Sequence, residues 1–346
     1  MTTIRDVARK ASVSVATVSR VLNGSSKVSQ KSKDAVLAAQ KELGFYLNAN
    51  ARALAQRDSH TIGIVVSDVS DPYFGAMIRA CDDAIHDKGY NLIVGQGHHN
   101  DVRERRAIDD LISYQCRGLI VHALALDEPT LRSYLDTVPY MVLVNRVVKG
   151  YESRCLNCDN YQGERMAVDE LIAHGHRKIA YINSCHPILD TQERLQGYFD
   201  SLHAHNIETD PRLVTSGEPS LEGGASAAHK LLENLKPGVD FTAVACYSDV
   251  MAAGLMGVFH HHGINIPNDI SITGFDNLFL SRCLIPALTT VDNPVKLIAE
   301  EAIARSLALY EGQEVAAPHR IDVSLITRDS VRDLTVPVHP EFIPII

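Results

Sequence analysis

Thr3-Ile4-Arg5-Asp6-Val7-Ala8-Arg9-Lys10-Ala11-Ser12-Val13-Ser14-Val15-Ala16-Thr17-Val18-Ser19-Arg20-Val21-Leu22-Asn23 opens the chain with two helical patterns and a break between them. Ile4, Val7, Ala8 and Ala11 recur at helical spacing, Thr3 can cap the start, and Asp6 stands in the first turn, where negative charge is favoured. Ser12-Val13 interrupts the pattern. Ser14 then offers its hydroxyl to a second helix, which carries Val18, Val21 and Leu22 on one face and stops at Asn23-Gly24. The pair reads as a helix-turn-helix. Its second helix can lie in a DNA major groove with Val15 and Ala16 against base edges, where thymine methyls suit them, leaving Ser14, Thr17, Ser19 and Arg20 for phosphates or bases. Ser29 can cap a third helix through Ala35, Val36, Ala39 and Leu43 to Gly44, completing an all-α head over residues 1–46.

Charge supports a polyanion partner for that head alone. The chain has 33 Lys plus Arg against 42 Asp plus Glu, a net charge of -9 that hides a split. Residues 1–60 hold ten Lys or Arg and four Asp or Glu, a net +6, which leaves -15 on the remainder. Phosphate neutralisation with counterion release supplies most non-specific DNA affinity, so the basic head is the part that can bind. Residues 47–60 form an alanine-rich hinge, Asn48-Ala49-Asn50-Ala51-Arg52-Ala53-Leu54-Ala55, too short to be a stable helix alone. Two readings fit it: an ordinary linker, or a segment that folds on DNA with Leu54 wedged into the minor groove beside Asn50.

From Thr61 the texture changes to short apolar strands alternating with helical patterns. Residues 62–66, 91–94, 118–121 and 141–144 read as buried parallel strands, with helices near 75–88, 102–114 and 127–136. A second run has strands at 178–182, 242–246 and 270–273 and helices near 160–173, 191–204, 221–234 and 248–262. Two lobes of doubly wound parallel sheet are therefore expected within 61–332, followed by a proline-containing tail, 333–346, without a heptad repeat for coiled-coil assembly. Ligands bind beyond the carboxyl ends of such strands. There the sequence places Asp71-Pro72-Tyr73-Phe74, Asn145-Arg146, Ser184, Ser248-Asp249 and Asp276-Asn277, a set of aromatic, amide, hydroxyl and charged groups suited to a polyhydroxyl ligand. Each could instead cap or pack, and Asp249, at a helix start, reads as a cap.

Other chemistries find little support. No GxSxG motif or phosphate loop is present, and Gly223-Gly224 lacks the strand and third glycine of a dinucleotide site, so no enzyme is expected. No apolar run approaches the 18 or so residues of a membrane span, and the charged N-terminus is unlike a signal peptide, so a cytoplasmic protein is expected. Seven cysteines fit reduced, buried thiols. Cys155-x-x-Cys158 has no second ligand pair, and His98-His99 and His260-His261-His262 read as solvated, so no metal and no cofactor are expected.

Thr3-Ile4-Arg5-Asp6-Val7-Ala8, Val13 to Asn23, Asn48 to Leu54, Ser70-Asp71-Pro72-Tyr73-Phe74, Gly175-His176-Arg177-Lys178-Ile179 and Gly274-Phe275-Asp276 together resemble the lactose/galactose repressor (LacI/GalR) family over nearly the whole chain. Asn145-Arg146-Val147-Val148, Arg194-Leu195-Gln196-Gly197-Tyr198 and Ala243 to Tyr247 look most like its galactose-responsive branch. The resemblance implies a homodimeric repressor of galactose-utilisation genes. Its heads would read a near-palindromic operator, and its periplasmic-binding-protein-like core would bind an inducing sugar, D-galactose. Another sugar or a corepressor remains open. By position it implies base reading by Val15, Ala16 and Arg20, a minor-groove wedge at Leu54, and effector contacts from Tyr73, Phe74, Asn145, Arg194 and Asp276. Ser248-Asp249 departs from the family's common Asn-Asp, placing one short hydroxyl where an amide both donates and accepts.

Overall fold

The computed structural model describes residues 2–22, 27–45, 59–317 and 320–336, so the hinge readings at Asn50 and Leu54 lie outside the described residues. The chain divides into two compact units: residues 1–60 with 114–116, and the rest.

In the first unit the predicted helices form as α1 (Ile4–Lys10), α2 (Val15–Leu22) and α3 (Gln30–Leu43). Thr3 and Asp6 make a reciprocal capping box, Ser14 Oγ accepts from the Thr17 amide at 3.1 Å, and Ser29 caps α3. Gly44 closes α3 at φ 57°, a left-handed turn that suits glycine. Val7, Ala8, Val18, Val36 and Ala39 are buried between the helices. Three short helices reach stability by sharing this one apolar centre, because helices of 7–14 residues are marginal alone.

The second unit holds two parallel sheets. The first runs β2 (Asn91–Gln96), β1 (Thr61–Val66), β3 (Gly118–Val121), β4 (Met141–Val144), β5 (Cys155–Leu156). The second repeats that order with β7 (Val214–Gly217), β6 (Ile179–Ser184), β8 (Ala243–Cys246), β9 (Ser271–Phe275) and β10 (Thr289–Asp292), then adds antiparallel β11 (Ser324–Ile326). Each order reverses beside its first strand, which opens a crevice at the carboxyl ends of both sheets. Period-2 alternation serves two buried faces. Ile179, Tyr181, Ala243 and Ala245 pack on α7 (Asn160–Ala173) and α8 (Leu189–Ala204), while Ala180, Ile182, Val244 and Cys246 pack on α9 (Leu221–Asn234) and α10 (Asp249–His261). In the first lobe, α5 (Asp101–Ser113) and α6 (Glu128–Thr137) intervene between its strands, and α4 (Pro72–His86) shares a core with β1, β3 and β4.

Three features depart from the expected pattern. The 91–94 strand is a half-exposed edge rather than a buried strand, because β2 pairs only with β1. After β10 the chain returns to the first lobe, where α11 (Val295–Tyr310) buries Ile298, Ala299, Ala302 and Ile303 against α4. It then recrosses past Ile321, which bridges Cys158, to reach β11. The lobes are thus joined by several chain crossings near Cys158, Asn293 and Ile321. Cysteine usage also differs from expectation: Cys185 and Cys283 are exposed, while the other five are buried. Among the described residues no helix is long and apolar enough to cross a membrane.

Candidate functional site

Helix α2 presents its first turn outward. Ser14, Val15 (42% exposed), Ala16 and Arg20 are exposed, and Thr17 and Ser19 are half-buried, while Val18 points into the head's centre. Ser14 is already engaged: its hydroxyl caps the helix and pairs with the Thr17 hydroxyl at 2.9 Å. An exposed valine and alanine on a fixed helix turn, next to an arginine, can contact base edges while the arginine reaches a phosphate or guanine.

In the second unit the two crevices meet in one pocket of about 550 Å³, open mouth included, lined from both lobes. Its residues follow strand after strand: Asp71, Tyr73 and Phe74 after β1, His99 after β2, His122 after β3, Asn145 after β4, His186 after β6, Ser248 after β8 and Asp276 after β9. Asn145 and Asp276 hold left-handed backbone at φ 57° and 99°, turning the chain immediately past the strand so that the side chain faces the pocket. Asn and Asp tolerate that region better than most residues.

Arg194 is the electrostatic centre. It projects from α8, donates from Nε to Asn160 Oδ1 at 2.8 Å and from Nη1 to the Tyr247 carbonyl at 2.5 Å, and stands 3.5 Å from Asp276. Its guanidinium lies 3.6 Å from the Phe275 ring centroid and 4.5 Å from that of Tyr247. Burial works against its charge, but Asp276, Tyr247 and Asp190 outweigh it and push its pKa up. Burial raises Asp276 as well, with Arg194 opposing. Asn293 donates to Asp276 at 3.1 Å and fixes that carboxylate. On the other wall Asn145 donates to the Tyr73 hydroxyl at 3.2 Å, and its Oδ1 is buried with no hydrogen-bond partner. An acceptor left unpaired in a pocket wall is costly unless a ligand donates to it. Phe74 sets its ring edge-on to His122 at 4.6 Å. The set offers stacking faces, a fixed cation, carboxylates and an open acceptor to a neutral molecule rich in hydroxyls.

All six expected effector residues, Tyr73, Phe74, Asn145, Arg194, Ser248 and Asp276, line this pocket. Ser248 does so with its hydroxyl committed, accepting from the Met251 amide as the cap of α10. The capping role read for Asp249 is therefore incorrect. Asp249 is buried, accepting from the Thr290 hydroxyl at 2.6 Å and the Leu278 amide at 2.8 Å, and it braces the loop after β9. Arg146 and Asn277 do not line the pocket. Arg146 donates to the Leu124 and Leu126 carbonyls, and Asn277 binds Asp292 and Arg328.

Sequence reasoning missed His99, His122, His186, Asp190 and Tyr247. His99, read as solvated, is half-buried and stacks on His186 at 4.3 Å. Burial, then the charge of His186, lowers His99 to about 4, and burial, then the charge of His99, lowers His122 to about 3, so both present neutral rings. Asp190 accepts from Asn160 at 3.3 Å, and burial pushes it up to about 7 against the pull of Arg194. Their common signal is position, since His99, His122, His186 and Tyr247 each lie within a few residues of a strand's carboxyl end.

Models of bacterial regulatory proteins of the lacI family and of periplasmic binding protein-like domains match residues 3–48 and 168–331. The chain is 46% identical over 332 residues to the HTH-type transcriptional regulator GalR of Escherichia coli strain K12, covering 96% of each. It belongs to the LacI family. HTH-type transcriptional regulator GalS of Salmonella typhimurium is 42% identical over 334 residues, 96% of this chain and 97% of that one. The lac repressor dimer bound to operator and the anti-inducer ONPF matches with a TM-score of 0.81 at 27% identity, over 96% and 99% of the two chains. This LacI-family chain is thus a helix-turn-helix transcription regulator and not an enzyme.

Proposed function

We propose that this protein is a homodimeric repressor of galactose-utilisation genes, working in the cytoplasm and released from its operator by D-galactose. The single observation that carries the ligand class is the pocket itself, where Arg194 held by Asp276, the unpaired Asn145 Oδ1 and the Tyr73 and Phe74 rings converge. The choice of galactose rests on the resemblance of residues 145–148, 194–198 and 243–247 to the galactose-responsive branch, and dimerisation on the likeness to a repressor dimer.

In this reading Ser14, Val15, Ala16, Thr17, Ser19 and Arg20 contact operator DNA, and Asn50 and Leu54 add minor-groove contacts. Tyr73, Phe74, Asn145, Arg194, Ser248 and Asp276 hold the sugar. The strands crossing between lobes let them rotate, and the sugar selects the rotation that binds DNA poorly. A thousandfold loss of operator affinity needs about 4 kcal/mol of coupling, within reach of a few hydrogen bonds made in only one state.

The test is operator binding by the purified protein at physiological salt, with and without D-galactose, D-glucose and D-ribose. Release by D-galactose alone supports the reading. Tight binding undisturbed by galactose reassigns the effector, and tighter binding on adding a small molecule makes that molecule a corepressor.

A further inference from the structure

At the mouth of the pocket, the ends of β6 and β7 bring together a thiol, an imidazole and a carboxylate that the pocket chemistry does not use. Ser184 and Gly217 are register partners in adjacent parallel strands, so the residues that follow them, Cys185 and Glu218, emerge side by side. Their backbones are held: the Cys185 amide donates to the Gly217 carbonyl at 2.9 Å, and the His186 amide donates to Ser184 Oγ at 3.1 Å. Cys185 Sγ lies 3.1 Å from Glu218 Oε1, and His186 Nε2 lies 3.1 Å from Glu218 Oε2. One ligand atom from each residue falls within 4.8 Å of the other two. Nε2 is buried and makes no hydrogen bond despite that approach.

We infer that Cys185, His186 and Glu218 form a binding site for a borderline-soft divalent cation of the zinc class. Sulfur, imidazole nitrogen and carboxylate oxygen are the three donor types that zinc accepts. Tetrahedral zinc, with bonds of about 2.3 Å to sulfur and about 2.0 Å to nitrogen or oxygen, holds neighbouring ligand atoms about 3.5 Å apart. The two 3.1 Å approaches reach different Glu218 oxygens. With the carboxylate binding through one oxygen, ligand atoms that lie within 4.8 Å of one another need to close by about 1.3 Å at most, a movement within reach of side-chain rotation at the exposed Cys185. Binding takes the Cys185 proton to solvent and leaves a thiolate on the metal. A fourth position stays open to water or to a group in the pocket, as in zinc sites with three protein ligands. His186 both lines the pocket and stacks on His99 from the other lobe, so the ion would fix a ring that touches both sides of the mouth.

The site stands whether or not the pocket takes a sugar, and its test uses neither sugar nor DNA. Full-length protein, reduced and freed of metal, is titrated with Co²⁺ and followed for a thiolate-to-cobalt charge-transfer band, with Zn²⁺ then added in competition. One equivalent of Co²⁺ should give the band, and Zn²⁺ should abolish it. Cys185→Ser should lose it, Glu218→Gln should weaken Co²⁺ binding at least tenfold, and Cys283→Ser, altering the other exposed thiol, should leave it unchanged. A wild-type protein with no band overturns the inference, as does a band that survives Cys185→Ser.

Discussion

Arg194 and Glu164 show how single buried groups divide the work beneath the pocket. Arg194 is satisfied on every side, by Asn160, the Tyr247 carbonyl, Asp276 and two aromatic faces. Removing one member of a buried, hydrogen-bonded ion pair costs about 3–5 kcal/mol, because its partner stays buried and unpaired. Arg194→Ala should lower stability by that amount and, by removing a charged donor from the pocket wall, weaken sugar binding by roughly ten- to a hundredfold, while operator affinity without sugar is retained. Calorimetric titration with galactose checks the binding loss, and a normal sugar affinity would remove Arg194 from the recognition set. Glu164 is the contrasting case. It is buried with both carboxylate oxygens lacking partners, near a Tyr181 hydroxyl that also lacks one, and burial pushes it up to about 8 from 4.5 against the pull of Arg194. A carboxyl whose folded pKa is raised adds stability that is complete below its unfolded value and lost as pH rises through the folded one. Glu164→Gln, which cannot ionise, should thus gain thermal stability relative to wild type as pH rises from about 5 to about 8. A Tm difference that stays constant over that range would show that Glu164 does not keep its proton in the folded state.

Among the elements, α9 and α10 are packed so closely that only glycine fits at their crossing. A Cβ at Gly254 of α10 would stand 2.0 Å from the Leu221 carbonyl oxygen of α9, so the helices approach backbone to backbone. Backbone cannot yield as a flexible side chain can. Gly254→Ala should cost about 1–3 kcal/mol or more through overpacking, read as a lower urea midpoint with an unchanged m-value. An unaffected midpoint would mean that the two helices can slide apart. Gly224 has the same packing role, since its Cβ would meet the Met251 carbonyl at 2.1 Å, while a Cβ on Gly223 would meet the Glu218 carbonyl at 1.9 Å in the turn that leads into α9. Capping was legible at Thr3, Ser14 and Ser29, because an N-cap is a local bond between residues three apart. It misled at Ser248-Asp249, where two adjacent capping residue types compete and only the partners Thr290 and Leu278, far along the chain, decide which one caps.

For the whole molecule the charge split has a measurable consequence. A net +6 over residues 1–60 and -15 over the rest leaves the head as the polyanion-binding part, while the pocket's charges are buried and screened little by salt. Operator affinity should fall about 10³–10⁵-fold between roughly 50 and 200 mM salt if six to ten phosphates are contacted. Galactose affinity should move by less than about twofold over that range. Comparable salt dependence of both would place exposed charge in sugar recognition. The lobes share one strand order, and their equivalent crevices meet in a single pocket lined from both sides. A rearrangement of either lobe therefore alters the ligand's whole environment, which is what a two-state switch requires.

Taken alone, the sequence determined whatever depends on near neighbours. Helical periodicity and caps laid out the head, apolar runs marked most of the parallel strands, and the residues just past those runs named Tyr73, Phe74, Asn145, Ser248 and Asp276 as pocket groups, because parallel strands deliver their next residues to one edge. Family resemblance supplied Arg194, whose place inside a helix gives no such signal. Tertiary structure alone decided what depends on distant pairing. It made 91–96 an edge, sent α11 back to the first lobe, engaged Ser248 as a cap and brought His99 onto His186. It also set Cys185 and His186 beside Glu218, 33 and 32 residues further on, because strand register is fixed by the whole buried sheet and not by any local pattern.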